Sequence, residues 1–382
     1  MRPRGSGAWG LALAVLLTAA CAPAPRTPPT AGPATPAPSV SSPPTPAAAP
    51  TPPPAGRVRF GGQYIAGDVP AFVAAERGYF HEEGVEVAFE RFGNQTDMVA
   101  ALSQGQIDAA GVGGTVPMFN AVARGVPLKV VLDKGTFRPG FGFTALTARK
   151  DLYDSGRLRR LEDLRGLTVA MLPPPRGTGN AAALWAGLQR VGLTFDDFTV
   201  VALNFPDMIP AFANGAIDAA LMAEPFLSRA LGQGSVVRLM GQDEMYPNYT
   251  VSAVCFTGAL YADRPTARAF ARAYIRGIRD YLSAMARPGD DPERQRMEAL
   301  MAGYTGIDAA TVHVMVPASF SPNGLPNRES LLFTYQFFRD QGLIPEPLSD
   351  AAVAGMWGTE LVEEVLRELG RWPEDWGLRP AS

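Results

Sequence analysis

The sequence predicts an α/β fold in which two similar lobes face one cleft and a helical tail follows. Three observations predict it. The stretch 97–110, DMVAALSQGQIDAA, returns at 207–220 as DMIPAFANGAIDAA, an offset of 110 residues with 8 of 14 positions identical. Apolar strand-like runs alternate with helix-like stretches from 57 to about 250, the pattern of a largely parallel sheet with helices on both faces. Beyond residue 264 the pattern is helical to the end. In each copy of the repeat an aspartate, Asp97 or Asp207, is placed to cap a helix start. Gly105 or Gly215 then ends the helix in left-handed geometry, and Ile-Asp-Ala-Ala leads into a short buried strand. Two βα units of a single sheet would also account for a short repeat, but the length and identity of the match favour two lobes.

The N-terminus sets an address. Residues 1–20 carry Arg2 and Arg4, an apolar run from Ala8 to Leu17 and then small residues, which is the anatomy of a signal peptide. The run is too short to span a bilayer. Cys21 after Thr18-Ala19-Ala20 resembles the lipobox of bacterial lipoproteins, with Thr18 where leucine is usual and Leu17 one place earlier. The expectation is export, lipidation of Cys21 and attachment to the outer side of the cytoplasmic membrane through the lipid alone. The alternative is a secreted protein cut near Ala20. Residues 21–56 then form a linker: 22–56 hold 14 of the 36 prolines, and Arg26 is their one charge. Such a segment buries too little apolar surface to offset its ordering entropy, and proline stiffens it into a spacer.

Composition excludes some classes. Hydrophobic residues make up 47% and charged residues 19%, so the part after the linker is globular. A net charge of −3 argues against a nucleic-acid partner. Three lysines accompany 31 arginines, and with Cys21 lipidated Cys255 stands alone.

The elements follow in order. The first lobe, 57–147, has a strand at 57–65 and a helix at 69–77 stopped by Gly78. A strand at 85–92, the first repeat, a helix at 116–124 and a strand at 128–133 come next. A strand at 140–147 leads towards the second lobe, 148–249. There 167–172 is a continuous apolar strand, 173–180 a loop and 181–191 a helix stopped by Gly192. A strand at 198–203 precedes the second repeat, and 236–240 is another. The β-branched run 250–257 returns to the first lobe and opens the last segment, 250–382. Helices at 264–286, 293–303, 327–341 and 359–370 are expected to cover the first lobe and the back of the cleft.

Several of these stretches resemble one family. PAFVAAERGYFHEEGVEV followed by DMVAALSQGQIDAAGVG is similar to the first lobe of substrate-binding proteins for nitrate, sulfonate, taurine and thiamine-pyrimidine transporters. LEDLRGLTVAMLPPPRGTG and PDMIPAFANGAIDAALMAEPF resemble the start and end of that family's second lobe. The resemblance implies the type II periplasmic-binding-protein fold: two Rossmann-like lobes with a central cleft, joined by two crossing segments and closing on a small-molecule ligand. It also implies an ABC permease as partner, and a monomer.

Loops at the C-terminal ends of parallel strands face such a cleft. Five supply candidates for ligand binding. Gln63, Tyr64 and Asp68 lie in the first, although Asp68 also suits a helix cap. Gly113, Gly114 and Thr115 lie in the second, where backbone N–H groups open a helix. Arg176, Gly177, Thr178 and Asn180 lie in the third, which suits an anionic group, the alternative being a proline-stiffened turn with Arg176 in solvent. Glu224 and Phe226 lie in the fourth, facing an amine or ring N–H; a helix N-terminal acid is the bland reading of Glu224. Phe137 opens the fifth, 137–143, whose rings stack on a planar ligand or fill core. His81 and His313 lack a ligand-spaced partner, so no metal is expected, nor any other cofactor. No nucleophile motif is present, so no catalytic residue is expected. The expected function is capture of a sulfonate, zwitterion or pyrimidine-like heterocycle for import. The alternative, an enzyme on the same fold similar to a pyrimidine synthase or a desulfinase, lacks the cysteines those relatives use.

Overall fold

The structure is a computed structural model that describes residues 56–375, so Cys21 and the linker lie outside the described residues. All the described residues belong to a unit that begins at Pro50. Its strands, in chain order, are β1 (Gly56–Gly62), β2 (Val85–Arg91), β3 (Ala109–Gly111) and β4 (Leu128–Asp133). Then come β5 (Thr136–Phe137), β6 (Thr144–Arg149), β7 (Thr168–Met171) and β8 (Thr199–Ala202). Last are β9 (Ala219–Ala223), β10 (Val236–Gly241), β11 (Tyr249–Thr250) and β12 (Ala253–Thr257).

Two five-stranded sheets result. The first has the order β2-β1-β3-β12-β4 and the second β10-β6-β9-β7-β8. Read from the opposite edge, the second repeats the first, with β7 in the place of β1, β9 in the place of β3 and β6 in the place of β12. The repeated stretch is thus the central strand of each sheet and the helix before it, Gln95–Ser103 or Phe205–Ala213. The sheets are less parallel than expected. β1 pairs in parallel with β2 and β3, and β7 with β8 and β9, but β12 and β6 run antiparallel to both neighbours. The reason is connectivity. β6 and β12 are the strands that arrive from the other lobe, so they enter their sheets from the cleft side.

The crossings themselves pair. β5 and β11 form a separate antiparallel two-stranded ribbon between the two sheets. The expected first lobe ran to 147, but Thr144–Arg149 lies wholly in the second sheet, so the outward crossing is 134–143. Likewise the run read as one strand at 250–257 is two, β11 and β12, broken at Val251 and Ser252.

The repeat's helices begin one turn earlier than expected. The Asn94 side chain accepts from Asp97 N at 3.0 Å, so Asn94 is the cap and Asp97 sits in the first turn. Asn204 holds the same place before Asp207, without a side-chain cap bond. Gly105 and Gly215 have φ of 67° and 73°, the left-handed exit expected.

The tail does not keep to the first lobe. Helix Arg264–Met285 packs on helix Val69–Glu76 and carries Phe270, stacked against Phe60 and Phe80. Helix Arg328–Asp340, however, packs on the second-lobe helix Gly179–Arg190, with Phe337 5.7 Å from Trp185. Helix Ala309–Val314 packs on helix Phe226–Gly232. The tail therefore holds both lobes.

Candidate functional site

One narrow cleft is lined from both lobes. The first lobe contributes Gln63, Ile65 and Gly67 after β1, Gln95 at a helix start, and Lys134 just past β4. The second contributes Leu172 after β7, Gly179 and Asn180 at a helix start, Phe205, and Ala223 and Glu224 at the end of β9. Phe143, Thr144, Val251 and Ser252, beside the ribbon, close the back. These are the C-terminal ends of parallel strands, where side chains and helix N-termini converge. The room between the walls is about 30 Å³, enough for a water or two. Two backbone bonds cross between the lobes: Ala66 N donates to Glu224 O at 3.3 Å, and Val116 N to Gly177 O at 2.9 Å.

The first wall is organised by Asp68, which is fully buried. Its Oδ2 accepts from Gln63 N and Ile65 N, both at 3.1 Å, and so shapes the loop. Its Oδ1 lies 3.0 Å from Lys134 Nζ, charge-paired rather than hydrogen-bonded. The lysine stem runs over two glycines. A Cβ on Gly111 would sit 2.0 Å from Lys134 Cδ, and one on Gly67 3.3 Å from Nζ. Only glycine leaves that channel open.

The second wall holds Glu224, 1% exposed. Its carboxylate accepts from Ser228 N at 3.0 Å, Ser228 Oγ at 2.9 Å and Val316 N at 3.1 Å. Burial pushes the carboxyl up to about 7, against those hydrogen bonds. The helix-capping role is thus the one its side chain fills, with a further tie to the tail. Asn180 Oδ1 and Ser252 Oγ are buried without a hydrogen-bond partner among the described residues, and both residues face the cleft.

The other sequence candidates are placed elsewhere. Arg176 donates to Asp196 at 3.2 Å and to Phe195 O at 3.0 Å, and lies over the Phe195 ring, so the expected cation does not reach the cleft. Tyr64 has a left-handed φ of 61°, which turns its ring onto Phe72 and beneath Arg91. Phe137 is fully buried against Phe143 and Tyr249, and Phe226 stacks on Phe205; Phe143 and Phe205 line the cleft instead. Gly113 packs so tightly on β12 that a Cβ would meet Ala253 Cβ at 2.6 Å, and Gly114 has φ of 78°. Thr115 and Thr178 cap their helices through Met118 N and Ala181 N. The helix start after Thr115 is spent on Gly177 O rather than left open.

Lys134, Gln95, Phe205 and Ser252 were missed in the sequence. Lys134 carried a signal: a lysine in a chain of 31 arginines, one residue past a buried strand. Ser252 carried none, because the break between β11 and β12 is not visible in a run of β-branched residues. Cys255 is buried in β12 and its thiol is pushed up to about 12 by desolvation. Among the described residues no three histidine, cysteine or acidic side chains gather as metal ligands.

Comparison with known proteins gives the following. Residues 67–289 match the family model described as NMT1/THI5 like. The chain is 30% identical to the riboflavin-binding protein RibY of Chloroflexus aurantiacus over 89% of this chain and 93% of that one. It is 23% identical to the taurine-binding periplasmic protein of Escherichia coli, over 74% of this chain and 86% of that one. The crystal structure of the periplasmic aliphatic sulphonate binding protein SsuA from Escherichia coli superposes with a TM-score of 0.61 at 21% identity, covering 79% of this chain and 91% of that one. The two lobes described above are thus arranged in the periplasmic-binding-protein fold.

Proposed function

The chain belongs to the NMT1/THI5-like family, and from that premise we propose that it is the solute-binding protein of an ABC importer. In this reading it is exported, anchored through lipid on Cys21, and works as a monomer at the outer face of the membrane. It captures a small polar organic molecule, in the range from sulfonate to zwitterion to pyrimidine-like heterocycle, and hands it to a permease. One observation carries the reading: a cleft lined from two sheets whose crossings pair as the short ribbon β5–β11. A joint of two short strands bends at low cost. With about 30 Å³ between the walls, the lobes must part to admit an organic molecule and close again to bury it. Capture rather than turnover is supported by Cys255, a buried thiol far from the thiolate form, and by carboxylates engaged in capping and pairing.

Native mass spectrometry of protein purified without added ligand tests the reading. A small-molecule adduct is expected on the wild type and not on Asn180→Trp, which fills the cleft. An adduct that Asn180→Trp retains would place the ligand elsewhere. An adduct released in chemically altered form would make the protein an enzyme.

A further inference from the structure

Resting on the reading of the cleft as the ligand site, we propose that Asp68 sets its charge selectivity. By pairing with Lys134 it makes the first wall electrically neutral, so within the range proposed above the cleft takes zwitterions and neutral heterocycles, without net charge, and rejects alkanesulfonate and sulfate anions.

The geometry carries the inference. Lys134 is the cation that lines the cleft, with a side chain 2% exposed. The expected cation, Arg176, is committed to Asp196 and the Phe195 carbonyl. An ammonium in a closed cleft would attract any anion, were it unpaired. Asp68 Oδ1 is 3.0 Å away and fully buried, so the pair presents a dipole rather than a charge. An anion entering there would meet the repulsion of Asp68, 3.0 Å behind the ammonium, against the lysine's attraction. It would also lose its hydration without a surplus positive charge to replace it. The pair is built into the fold. Asp68 Oδ2 is held by two backbone N–H groups of its own loop, and the lysine stem lies in a channel over Gly111 and Gly67. A neutral ligand keeps full use of the wall: the ammonium donors, and Ser252 Oγ and Asn180 Oδ1, which have no hydrogen-bond partner among the described residues, are dipolar partners for carbonyl and N–H groups.

The test uses two isosteric exchanges and two matched probes, ethanesulfonate and ethylammonium, in titration calorimetry on the folded, exported chain. Wild type is expected to bind neither measurably. Asp68→Asn keeps an acceptor for the two backbone N–H groups but frees Lys134. It is expected to bind ethanesulfonate at least tenfold more tightly than wild type, and to lose that gain in the double variant Asp68→Asn/Lys134→Gln. Should Asp68→Asn not fold, Lys134→Gln leaves Asp68 unpaired and is expected to gain at least tenfold for ethylammonium. Three results would overturn the proposal: wild type binding ethanesulfonate as tightly as Asp68→Asn, no gain in either single variant, or a gain that survives removal of Lys134. Asn180→Trp separates this from the parent reading. Wild-type binding of ethanesulfonate that Asn180→Trp abolishes sinks the charge rule but keeps the cleft. An Asp68→Asn gain that Asn180→Trp leaves intact sinks the cleft itself, and this proposal with it.

Discussion

At the scale of single residues, the buried carboxyls determine how stability responds to pH. Glu224 rises from its ordinary 4.5 to about 7, and Asp133, fully buried beneath Ser321 N, Gly135 N and Thr136, rises from 3.8 to about 6, in both cases through burial. Each native carboxyl therefore holds a proton that the unfolded chain releases. The stabilising contribution is complete below the unfolded value and is lost as pH climbs through the folded one. For Glu224 that loss runs between 4.5 and about 7 and is on the order of 3 kcal/mol. Urea unfolding at about pH 5 and about pH 8 checks it: wild type is expected to be less stable at the higher pH, and Glu224→Gln to lose much of that difference. An identical pH dependence in the variant would mean the carboxylate is satisfied by its three donors despite burial.

At the scale of elements, the repeat explains its own identical aspartate. Asp108 Oδ2 accepts from Arg59 N in β1 at 2.8 Å, and Asp218 Oδ2 from Thr168 N in β7 at 2.9 Å. Each staples the start of the central strand to its parallel neighbour, and each is backed by an arginine, Arg59 or Arg149. One of the eight identities read in the sequence as a mark of two lobes is, physically, one hydrogen bond used twice. Asp108→Ala and Asp218→Ala are each expected to cost about 1–3 kcal/mol in denaturant unfolding, because a strand N–H is left without its acceptor. Asp207→Ala, in a first turn, is expected to cost a few tenths. Equal losses at all three positions would refute the staple.

At the scale of the whole molecule, what matters is how the lobes meet. Besides the ribbon they are linked across the cleft by Val116 N to Gly177 O and by Ala66 N to Glu224 O. The tail packs on helices of both lobes, and its Thr334 pairs with Tyr249 of the ribbon, whose OH donates to Gly179 O. Val116 is the first residue of its helix, where proline is well tolerated, so Val116→Pro removes the cross-lobe donor and keeps the helix. The loss of one such bond is worth about 1 kcal/mol, or roughly a fivefold shift towards parted lobes. Small-angle scattering of the variant is expected to report a larger radius of gyration than that of Val116→Ala, which keeps the donor. Equal radii would mean that bond does not hold the lobes together.

The sequence by itself determined the periodic and the local. Alternating apolar runs and glycine exits at Gly105 and Gly215 act within a few residues of one another, and the repeat 110 residues on shows the same local unit used twice, which was enough for two α/β lobes. Two candidates at strand ends, Gln63 and Glu224, and one at a helix start, Asn180, line the cleft for the same reason: element ends are local, and the fold class says which ends face inward. The tertiary structure alone decided which side chains the cleft keeps. Arg176 had a partner in Asp196, twenty residues on, and its turn swings it there. Lys134 reaches Asp68 only because β4 and the loop after β1, sixty-six residues apart, end side by side over two glycines. A charge announces itself in sequence, but whether it is free or already paired depends on contacts between strands that the chain brings together only on folding.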